Sequence, residues 1–295
     1  MLARGSCDIR FKVPPVLKIA TSDYSPLILT PEVTQPAVYL DYCVIGDLAR
    51  DPATGQEFRN CLLEKGGTLY LSWAHLVELF GLGSGPTYNS IRSYLASFDR
   101  SFVLIDNNAR AVIGREADWA PGKQNPVFDE DLLRCLAANW DGRGEFNMAL
   151  LLDVVSSAPS IVAQLQDRHR KHKHNLKTAF DDARARYRAD REWRRQLDNA
   201  TYAYAPGAAP TEYIYLQISR ECIVTHEQFN PSDGLDFEHC VVSLAYCDYV
   251  VLDKKWTRRC GKIIIPPTAA AVFSGVQVDR LVRQIESWSK SPAKT

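Results

Sequence analysis

The chain has 295 residues, 46% of them hydrophobic, which is enough to bury a sizeable core in one large domain or two small ones. Its 35 basic and 35 acidic residues give a formal net charge of zero. This balance excludes a whole-molecule electrostatic field that attracts nucleic acid or membranes, so any such attraction must be local.

The cysteines and the N-terminal residues bear on cellular location. Eight cysteines are scattered through the chain without a CxxC pair, which argues against a zinc knuckle or a redox centre. They stand at positions 7, 43, 61, 135, 222, 240, 247 and 260. The N-terminal sequence MLARGSCDIRFKVPP lacks the apolar core of a signal peptide, and no long uncharged apolar run follows. We therefore expect reduced thiols, a cytoplasmic location and no membrane partner.

The pattern of apolar residues predicts alternating strands and helices. Short apolar runs predict strands at residues 37–41, 68–72, 101–105, 213–218, 249–252 and 262–265. Helical spacing predicts helices at residues 43–49, 73–80, 88–98, 131–138, 146–155, 161–197, 236–246 and 276–288. This order predicts a three-layer α/β fold, in which helices flank a mostly parallel sheet.

Two ranges stand apart from this alternation. Prolines at positions 14, 15, 26, 31 and 36 favour extended segments in residues 1–36, which we interpret as an N-terminal extension. Residues 37–295 then form the main domain. Within it, residues from about 115 to 232 are interpreted as a helical insertion.

Four acidic residues stand where this fold would bring them together. Asp41 ends the first predicted strand of the domain, and Glu78 lies in the helix after the second. Asp236 opens a late helix, and Asp253 ends the strand that follows it. Ligand sites of open α/β sheets form at the carboxyl ends of the strands, so we expect the four carboxylates to converge. Taken singly, each acid also fits an ordinary turn residue, helix cap or solvated helix position.

Four converging carboxylates predict a bound cation. Packed closely they would repel one another, and several would have to stay protonated unless a divalent cation neutralised them. An all-oxygen ligand set favours Mg²⁺ or Mn²⁺ over zinc. Such an ion bridges an anionic phosphate, activates a water molecule and stabilises the leaving oxygen. The acids therefore predict hydrolysis of a phosphodiester bond.

Three short windows that carry these acids resemble the PIN-domain nucleases, a family that includes toxin ribonucleases and RNA-processing enzymes. The windows are VYLDYCVIGDLA with Asp41, LSWAHLVELF with Glu78, and LDFEHCVVSLAYCDYVVLDKKW with Asp236 and Asp253. The resemblance implies a PIN-like fold with all four acids as catalytic residues. It also implies that Asp41, Asp236 and Asp253 are the metal ligands.

Further candidates are assigned by their positions relative to these acids. Asp248 matches a position that is often acidic in the family, which implies a residue that supports the metal ligands. His239 and His75 each lie one helical turn from a candidate acid, where a histidine can orient substrate or carry a proton. A packed structural histidine fits both positions as well.

The chain departs from the PIN pattern in two respects. Tyr42 and Cys43 follow the first aspartate, where the family commonly has Ser or Thr and then Asn hydrogen-bonded to the acids. The chain is also much longer than the small toxin members, and the extra residues, about 115–230, imply an inserted or appended helical region.

A local positive charge lies in the long predicted helix. Residues 165–196 hold eleven Lys or Arg against five Asp or Glu. Most such runs are solvated helix faces, but this one also suits a phosphate backbone. Arg168, Lys171 and Lys173 are the candidates for contact with nucleic acid. Lys254 or Lys255 would contact a phosphate at the acids.

We therefore predict a metal-dependent endonuclease that hydrolyses phosphodiester bonds, with RNA favoured over DNA by the resemblance alone. Three aspartates would hold Mg²⁺ or Mn²⁺, and Glu78 would position the attacking water. A toxin role would imply an antitoxin or another regulatory protein as a partner.

Two alternatives stand beside this prediction. The first is a PIN-like module that binds nucleic acid or protein without cutting, which Tyr42 and Cys43 favour. The second is a metal-dependent phosphatase that acts on small molecules, which would use the same acids without needing the basic helix.

Overall fold

The computed structural model describes residues 17–20, 28–31, 33–118, 125–138, 146–205, 208–225 and 227–289. Within these ranges the strands are β1 (Leu17–Ala20), β2 (Ile28–Pro31), β3 (Ala37–Leu40), β4 (Thr68–Ser72), β5 (Phe102–Ile105), β6 (Tyr249–Leu252) and β7 (Ala271–Ser274). The helices are α1 (Tyr42–Arg50), α2 (Pro52–Glu64), α3 (Trp73–Gly81), α4 (Pro86–Ala96), α5 (Ala109–Ala117), α6 (Glu130–Ala138), α7 (Met148–Ser157), α8 (Pro159–Ala189), α9 (Arg191–Asp198), α10 (Pro210–Val224), α11 (Asp233–Tyr246), α12 (Lys254–Cys260) and α13 (Val278–Glu286).

Five parallel strands form the central sheet in the order β5-β4-β3-β6-β7, which confirms the predicted α/β sheet flanked by helices. From β3 the chain moves outward through β4 and β5, and then returns to the other side of β3 for β6 and β7. The strand order therefore reverses between β3 and β6. In open α/β sheets the ligand crevice lies outside the carboxyl ends of the strands at such a reversal.

The predicted N-terminal extension lies largely outside the described residues. Its described part is β1 and β2, which pair antiparallel with each other. This pairing agrees with the extended segments that the prolines of residues 1–36 favour.

The strands are apolar on both faces because each face packs against helices. In β3, Val38 and Leu40 belong to one core together with residues of α1, α2, α4 and α13. Ala37 and Tyr39 belong to a second core with residues of α5, α10 and α11. Burial on both faces explains why the strands are continuous apolar runs rather than alternating ones.

Helix α8, the longest helix of the predicted insertion, packs against helices that flank the sheet. It packs against α3 and α11, and Gly234 permits the close approach to α11, since a Cβ there would lie 2.9 Å from the Cβ of Leu176. The helix predicted at residues 161–197 is in fact two helices. Asp190 separates them, and its side chain accepts from the N–H of Trp193 at 2.9 Å to cap α9.

Two predicted strands are wrong. Residues 213–218 lie in α10, where Ile214, Ile218 and Cys222 are buried at four-residue intervals, the spacing of a helix face. Residues 262–265 form no strand: Ile264 is 73% exposed and two prolines follow, which cannot donate to a sheet. The edge strand comes later, as β7.

Of the helices that the structure describes, none is by itself both long enough and apolar enough to span a membrane. Helices α7 and α8 satisfy this test only when taken together, and they are bent by 92° at the break between them.

Candidate functional site

Asp41 and Asp253 occupy equivalent positions at the ends of neighbouring strands. Asp41 follows β3 and caps α1, accepting from the N–H of Tyr42 at 2.8 Å. Asp253 follows β6 and caps α12, accepting from the N–H of Trp256 at 2.7 Å. Because β3 and β6 are adjacent and parallel, the two capping acids leave the sheet side by side. Aspartate is favoured where an extended residue begins a helix.

Two helices bring the other predicted acids to the same edge. Glu78 lies in α3, which starts directly after β4. Asp236 lies in the first turn of α11, the helix that precedes β6. All four acidic residues are half-buried, so they are partly withdrawn from water but still open to a ligand.

Electrostatic repulsion indicates that the four carboxyl groups lie near one another. Burial raises the pKa of Asp236 to about 8, and the charges of Asp41, Asp253 and Glu78 add to this effect. Burial raises the pKa of Glu78 to about 7, with the charge of Asp41 adding. Burial and the charge of Asp253 likewise raise the pKa of Asp41. Without a cation, the cluster therefore retains protons at neutral pH.

A buried hydrogen-bond network joins the elements that carry three of these acids. The Nε2 of His75 donates to the carbonyl oxygen of Leu40 at 2.9 Å, and its Nδ1 accepts from the N–H of Ser72 at 3.1 Å. The Ser72 hydroxyl lies 3.2 Å from Nε2 of His239, whose ring stacks on that of His75. Burial lowers the pKa of both histidines, to about 4 for His75. The neutral rings thus tie β3, β4, α3 and α11 together, and His239 connects the helix that carries Asp236 to Ser72 and His75.

Tyr42 and Cys43, which depart from the PIN pattern, lie beside the acids. The Sγ of Cys43 donates to Oδ2 of Asp41 at 3.3 Å. Burial and the charge of Glu78 raise the pKa of Tyr42 to about 12, so its hydroxyl stays protonated. That hydroxyl is buried without a hydrogen-bond partner among the described residues. The two residues therefore place an S–H and an O–H group at the cluster.

The carboxylate oxygens at this edge are of the type that binds a divalent cation, but they do not surround a common metal position. Carboxylate oxygens are the ligands that Mg²⁺ and Mn²⁺ prefer, and burial, with the charges of the neighbouring acids adding, raises the pKa values of Glu78 and Asp236. Across the described ranges, no group of three or more His, Cys, Asp or Glu side chains is placed to hold a metal ion. A cation would have to draw the acids together or bind partly through water.

Asp248 lies at the opposite edge of the sheet, contrary to the prediction that it supports the metal ligands. It precedes β6, and its Oδ2 accepts from the N–H of Ala37 at 2.8 Å, while its own N–H donates to the Ala37 carbonyl. Five residues of extended chain, about 16 Å, separate it from Asp253. Asp248 instead aligns the start of β6 with the start of β3.

Arg168 was predicted to contact a phosphate, but it pairs with two other acids, which are separate from the four predicted ones. Its guanidinium lies 3.6 Å from a carboxylate oxygen of Asp106 and 3.8 Å from one of Asp129. It also lies over the ring of Trp73, 5.0 Å from the ring centre. Both acids are nearly fully buried, so the positive charge of Arg168 compensates them.

Sequence reasoning missed this second polar cluster. Asp106 directly follows β5, so it repeats the strand-then-acid pattern of the two predicted aspartates. Burial raises the pKa of Asp129 to about 6 and that of Glu238 to about 8. Glu238 is 1% exposed, and its Oε2 accepts from the N–H of Ala109 at the start of α5. The acid after the β5 run was the signal that could have identified the cluster.

The predicted lysines of α8 differ in their surroundings. Lys173 is half-buried, and its charge lowers the pKa of Glu78, so it lies near the acids. Lys171 is exposed and pairs with Asp167, with Nζ and Oδ2 2.7 Å apart. The structure therefore brings Lys173 to the site but leaves Lys171 at the surface.

The two lysines after Asp253 also differ. Lys254 is exposed at the first position of α12, beside the acids in sequence. Lys255 forms an ion pair with the buried Asp233 at the start of α11. Lys254 thus remains the candidate for a phosphate contact, while Lys255 ties α12 to α11.

No family model, curated protein or solved structure matches the chain.

Proposed function

We propose that this protein is a PIN-like, metal-dependent endonuclease that hydrolyses phosphodiester bonds in RNA. The observation that carries the proposal is that Asp41, Glu78, Asp236 and Asp253 meet at the carboxyl edge of a parallel sheet, where burial and, after it, mutual repulsion raise the pKa of the first three. Such a cluster is unfavourable unless a positive charge neutralises it. A divalent cation supplies that charge most directly.

Each acid has its own part in this proposal. Asp41, Asp236 and Asp253 would hold Mg²⁺ or Mn²⁺, and Glu78 would position the attacking water. When bound, the ion neutralises the phosphate and makes water more acidic. The pKa of Glu78, at about 7, suits it to take up the proton of that water near neutral pH.

Two lysines supply the proposed contacts to the nucleic acid backbone. Lys173 of α8 lies near Glu78, and Lys254 follows Asp253 at the start of α12. Ammonium groups next to the acids suit a strand whose phosphates continue past the cleaved bond. The choice of RNA rests on the resemblance of the three sequence windows to PIN-domain nucleases.

The topology supports a PIN-like domain as the host of this site. The acids stand at the strand-order reversal of a five-stranded parallel sheet, where ligand sites of open α/β folds form. The helices α6 to α10 lie between β5 and β6 in sequence, as the helical insertion requires, and α8 contributes Lys173.

We assign the protein to the cytoplasm on the state of its thiols. The seven cysteines in the described ranges are free, including Cys240 and Cys260, whose sulfur atoms lie 3.2 Å apart without a bond. Free thiols at this distance suit a reducing compartment. A cytoplasmic nuclease also requires control, which fits a regulatory partner such as an antitoxin.

The second candidate function is a PIN-like module that binds nucleic acid or protein without cleavage. Two observations favour this binding module. The Sγ of Cys43 donates a hydrogen bond to Asp41, at a position where the family has other residues. In addition, no group of three or more His, Cys, Asp or Glu side chains among the described residues is placed to hold a metal ion. Calorimetric titration with Mn²⁺ separates the candidates. The nuclease binds Mn²⁺ at a site that Asp236→Asn removes, whereas the binding module has no such site.

Cleavage of end-labelled single-stranded RNA and DNA in Mg²⁺, Mn²⁺ or EDTA tests the nuclease directly. Asp253→Asn is the informative variant, because Asn keeps the N-cap of α12 and removes the charge. Asp51→Asn is its matched control, since Asp51 caps α2 in the same way, accepting from Thr54 at the protein surface.

We expect the wild-type protein and Asp51→Asn to cut RNA only with metal, and Asp253→Asn to cut at least about 100-fold more slowly. Absence of metal-dependent cleavage by the wild-type protein, or equal cleavage by Asp253→Asn, would overturn the assignment. Preferential cutting of DNA would keep the chemistry and change the substrate.

A further inference from the structure

The C-terminal part of α8 and the whole of α9 lie outside the hydrophobic cores. Phe180 is the last buried residue of α8, and α9 contains no buried residue. Residues 181–198 therefore form a pair of helices without a core of their own, which we call the α8–α9 arm. Because these helices bury no side chain, packing of an apolar face does not account for them.

The arm is nevertheless held in a fixed position by hydrogen bonds. The guanidinium of Arg184 donates to the carbonyl oxygen of Cys222 in α10, at 2.8 Å from Nε and 2.6 Å from Nη2. Arg220 of α10 donates to the carbonyl oxygen of Asp198 at 2.7 Å. The hydroxyl of Tyr187 donates to the carboxylate of Asp198 at 2.7 Å, which joins α8 to α9. The arm thus presents its surface in a defined orientation.

This surface is positively charged although the chain as a whole is neutral. Residues 184–195 hold six arginines against two acids. Both acids are engaged, since Glu192 pairs with Arg195 and Asp190 caps α9. Three arginines of the arm form no ion pair with a carboxylate in the part of the chain that the structure describes. They are Arg188, Arg191 and Arg194.

Helix α8 connects the arm to the edge of the sheet that carries the four acids. Leu176 packs against Gly234, which stands two residues before Asp236. Lys173, one turn earlier in α8, lies near Glu78. The same helix therefore passes the acids and then continues into the arm.

Positive side chains follow one face of α8 along this path. Lys177, Arg184 and Arg188 come after Lys173 at intervals of four, seven and four residues, which is the spacing of a single helix face. From Lys173 to Arg188 the helix rises by about 22 Å. Lys177 is paired with Asp181, so the next positive charges without a carboxylate partner stand on the arm.

We propose that the α8–α9 arm binds the phosphate backbone of the RNA substrate at a distance from the cleaved bond. The identity of this ligand rests on the proposed nuclease function. A stacked strand advances about 3.4 Å per phosphate, so about six or seven nucleotides span the distance from Lys173 to Arg188. The guanidinium group matches a phosphate with two parallel N–H donors, and contacts to phosphates carry no sequence preference. The enzyme therefore favours RNA long enough to reach both the acids and the arm.

Two triple variants test the arm. Glutamine has nearly the helix propensity of arginine, so the helices should persist when the charge is removed. The arm variant is Arg188→Gln/Arg191→Gln/Arg194→Gln. The control removes three positive charges from α2 and α13, which pack in the core on the opposite face of the sheet from α10. It is Arg59→Gln/Arg280→Gln/Arg283→Gln, and circular dichroism confirms that both variants are folded.

Fluorescence anisotropy of labelled single-stranded RNA in EDTA measures binding without cleavage. We expect an RNA of about 20 nucleotides to bind the arm variant at least about tenfold more weakly than the wild-type protein at low salt. The slope of log affinity against log salt should fall by about 2, because each phosphate contact to a single strand contributes about 0.7. The control variant should bind like the wild-type protein.

Cleavage in Mn²⁺ tests the link to the acids. The arm variant should raise KM for the long RNA at least about tenfold and leave kcat unchanged, because the arm does not touch the cleaved bond. Cleavage of a trinucleotide, which is too short to reach the arm from the acids, should be the same in both proteins.

Four results would overturn the proposal. They are no binding of RNA by the wild-type protein, equal binding by the arm variant, equal weakening in the control variant, and competition by polyglutamate as effective as that by RNA, which would assign the arm to an acidic polypeptide. Arm-dependent binding without cleavage in Mn²⁺ would overturn the nuclease and leave the contact of the arm with RNA in place. Cleavage with an unchanged KM in the arm variant would leave the nuclease and overturn the role of the arm.

Discussion

The backbone N–H of Asp41 donates to the carbonyl oxygen of Val251 at 2.9 Å, which extends the ladder between β3 and β6 past the end of β3. Asp253 directly follows Leu252, the last residue of β6, so it leaves the neighbouring strand at the same edge. The two aspartates are thus fixed by the sheet itself rather than by a loop. A ligand at this edge meets a pair of acids whose separation is already set.

Asp41→Asn should abolish cleavage without unfolding the protein. Asn retains the cap of α1, so we expect the melting temperature to change by only a few degrees. Cleavage of RNA should fall at least about 100-fold because one of the charges that would bind the cation is lost. Rates and circular dichroism melts, with Asp51→Asn in parallel, check both expectations. Retained cleavage would exclude Asp41 from the site.

The free energy of unfolding of the metal-free protein should fall as pH rises from 6.5 to 8. The folded-state pKa values of Glu78 and Asp236, about 7 and about 8, lie above the unfolded values, so the folded protein binds more protons in this range. The pKa of Glu238, which burial raises to about 8, adds to the same loss of stability as pH rises. The stability from neutral His75, with a pKa lowered to about 4, is already fully present above pH 6.5. Each acid contributes up to about 1.4 kcal/mol per pH unit while it titrates.

Urea denaturation in EDTA at several pH values measures this decline. Asp236→Asn should show a smaller decline and should be more stable than the wild-type protein at pH 8, where the wild-type acid begins to carry charge. Mn²⁺ should restore the wild-type stability at pH 8 if the acids bind it. A decline of equal size in Asp236→Asn would show that this residue is not its source.

Lys173→Gln should act on the site in two ways. Loss of a phosphate contact should raise KM for RNA and reduce the slope of log affinity against log salt by about 1. Since Lys173 lowers the pKa of Glu78, its removal should also shift the acidic limb of the pH–rate profile to higher pH.

Lys171→Gln is the matched control for Lys173→Gln, because Lys171 lies on the same helix and pairs with Asp167 at the surface. We expect it to leave the pH profile unchanged. Identical effects of the two substitutions would mean that the positive charge of α8 attracts RNA only as a whole, without a specific contact by Lys173. A phosphatase specific for small esters would show no dependence on the length of the RNA in either variant.

Ser72→Ala should destabilise the fold more than it alters chemistry. The change leaves Nε2 of His239 without the Ser72 hydroxyl in a buried site, which costs about 1–3 kcal/mol of unfolding free energy. Ser156→Ala, which removes an exposed hydroxyl bonded to the Asp153 carbonyl, should cost much less. Urea denaturation compares the two, and equal costs would exclude a structural role for the Ser72 hydroxyl.

The parts of the fold that could be predicted are those whose signal is local. The strands at 37–41 and 249–252 are apolar runs that end on an acid, and the same residues that end the strand cap the next helix. Parallel pairing then places both acids at one edge without knowledge of any distant contact. Helix α2 was not predicted, although Asp51 and Pro52 form a recognisable helix start, because its apolar positions are sparse.

The parts that could not be predicted depend on partners far away in sequence. Arg168 was assigned to a phosphate because its helix is basic, yet its charge is compensated by Asp106 and Asp129, which lie 62 and 39 residues earlier. Asp248 was assigned to the acids because it matches an often acidic position of the PIN-domain family, five residues before Asp253. A strand carries the chain away by about 3.3 Å per residue, so nearness in sequence was misleading there.

Helix α8 presents consecutive residues to two different places, with His172 beside Glu238 and Lys173 near Glu78. A rotation of this helix about its axis therefore cannot move one of these side chains without moving the other. Any contact that holds the backbone of α8 at His172 therefore also holds the backbone of Lys173. If each place binds a molecule, any effect of one on the affinity of the other would hold in reverse with the same factor.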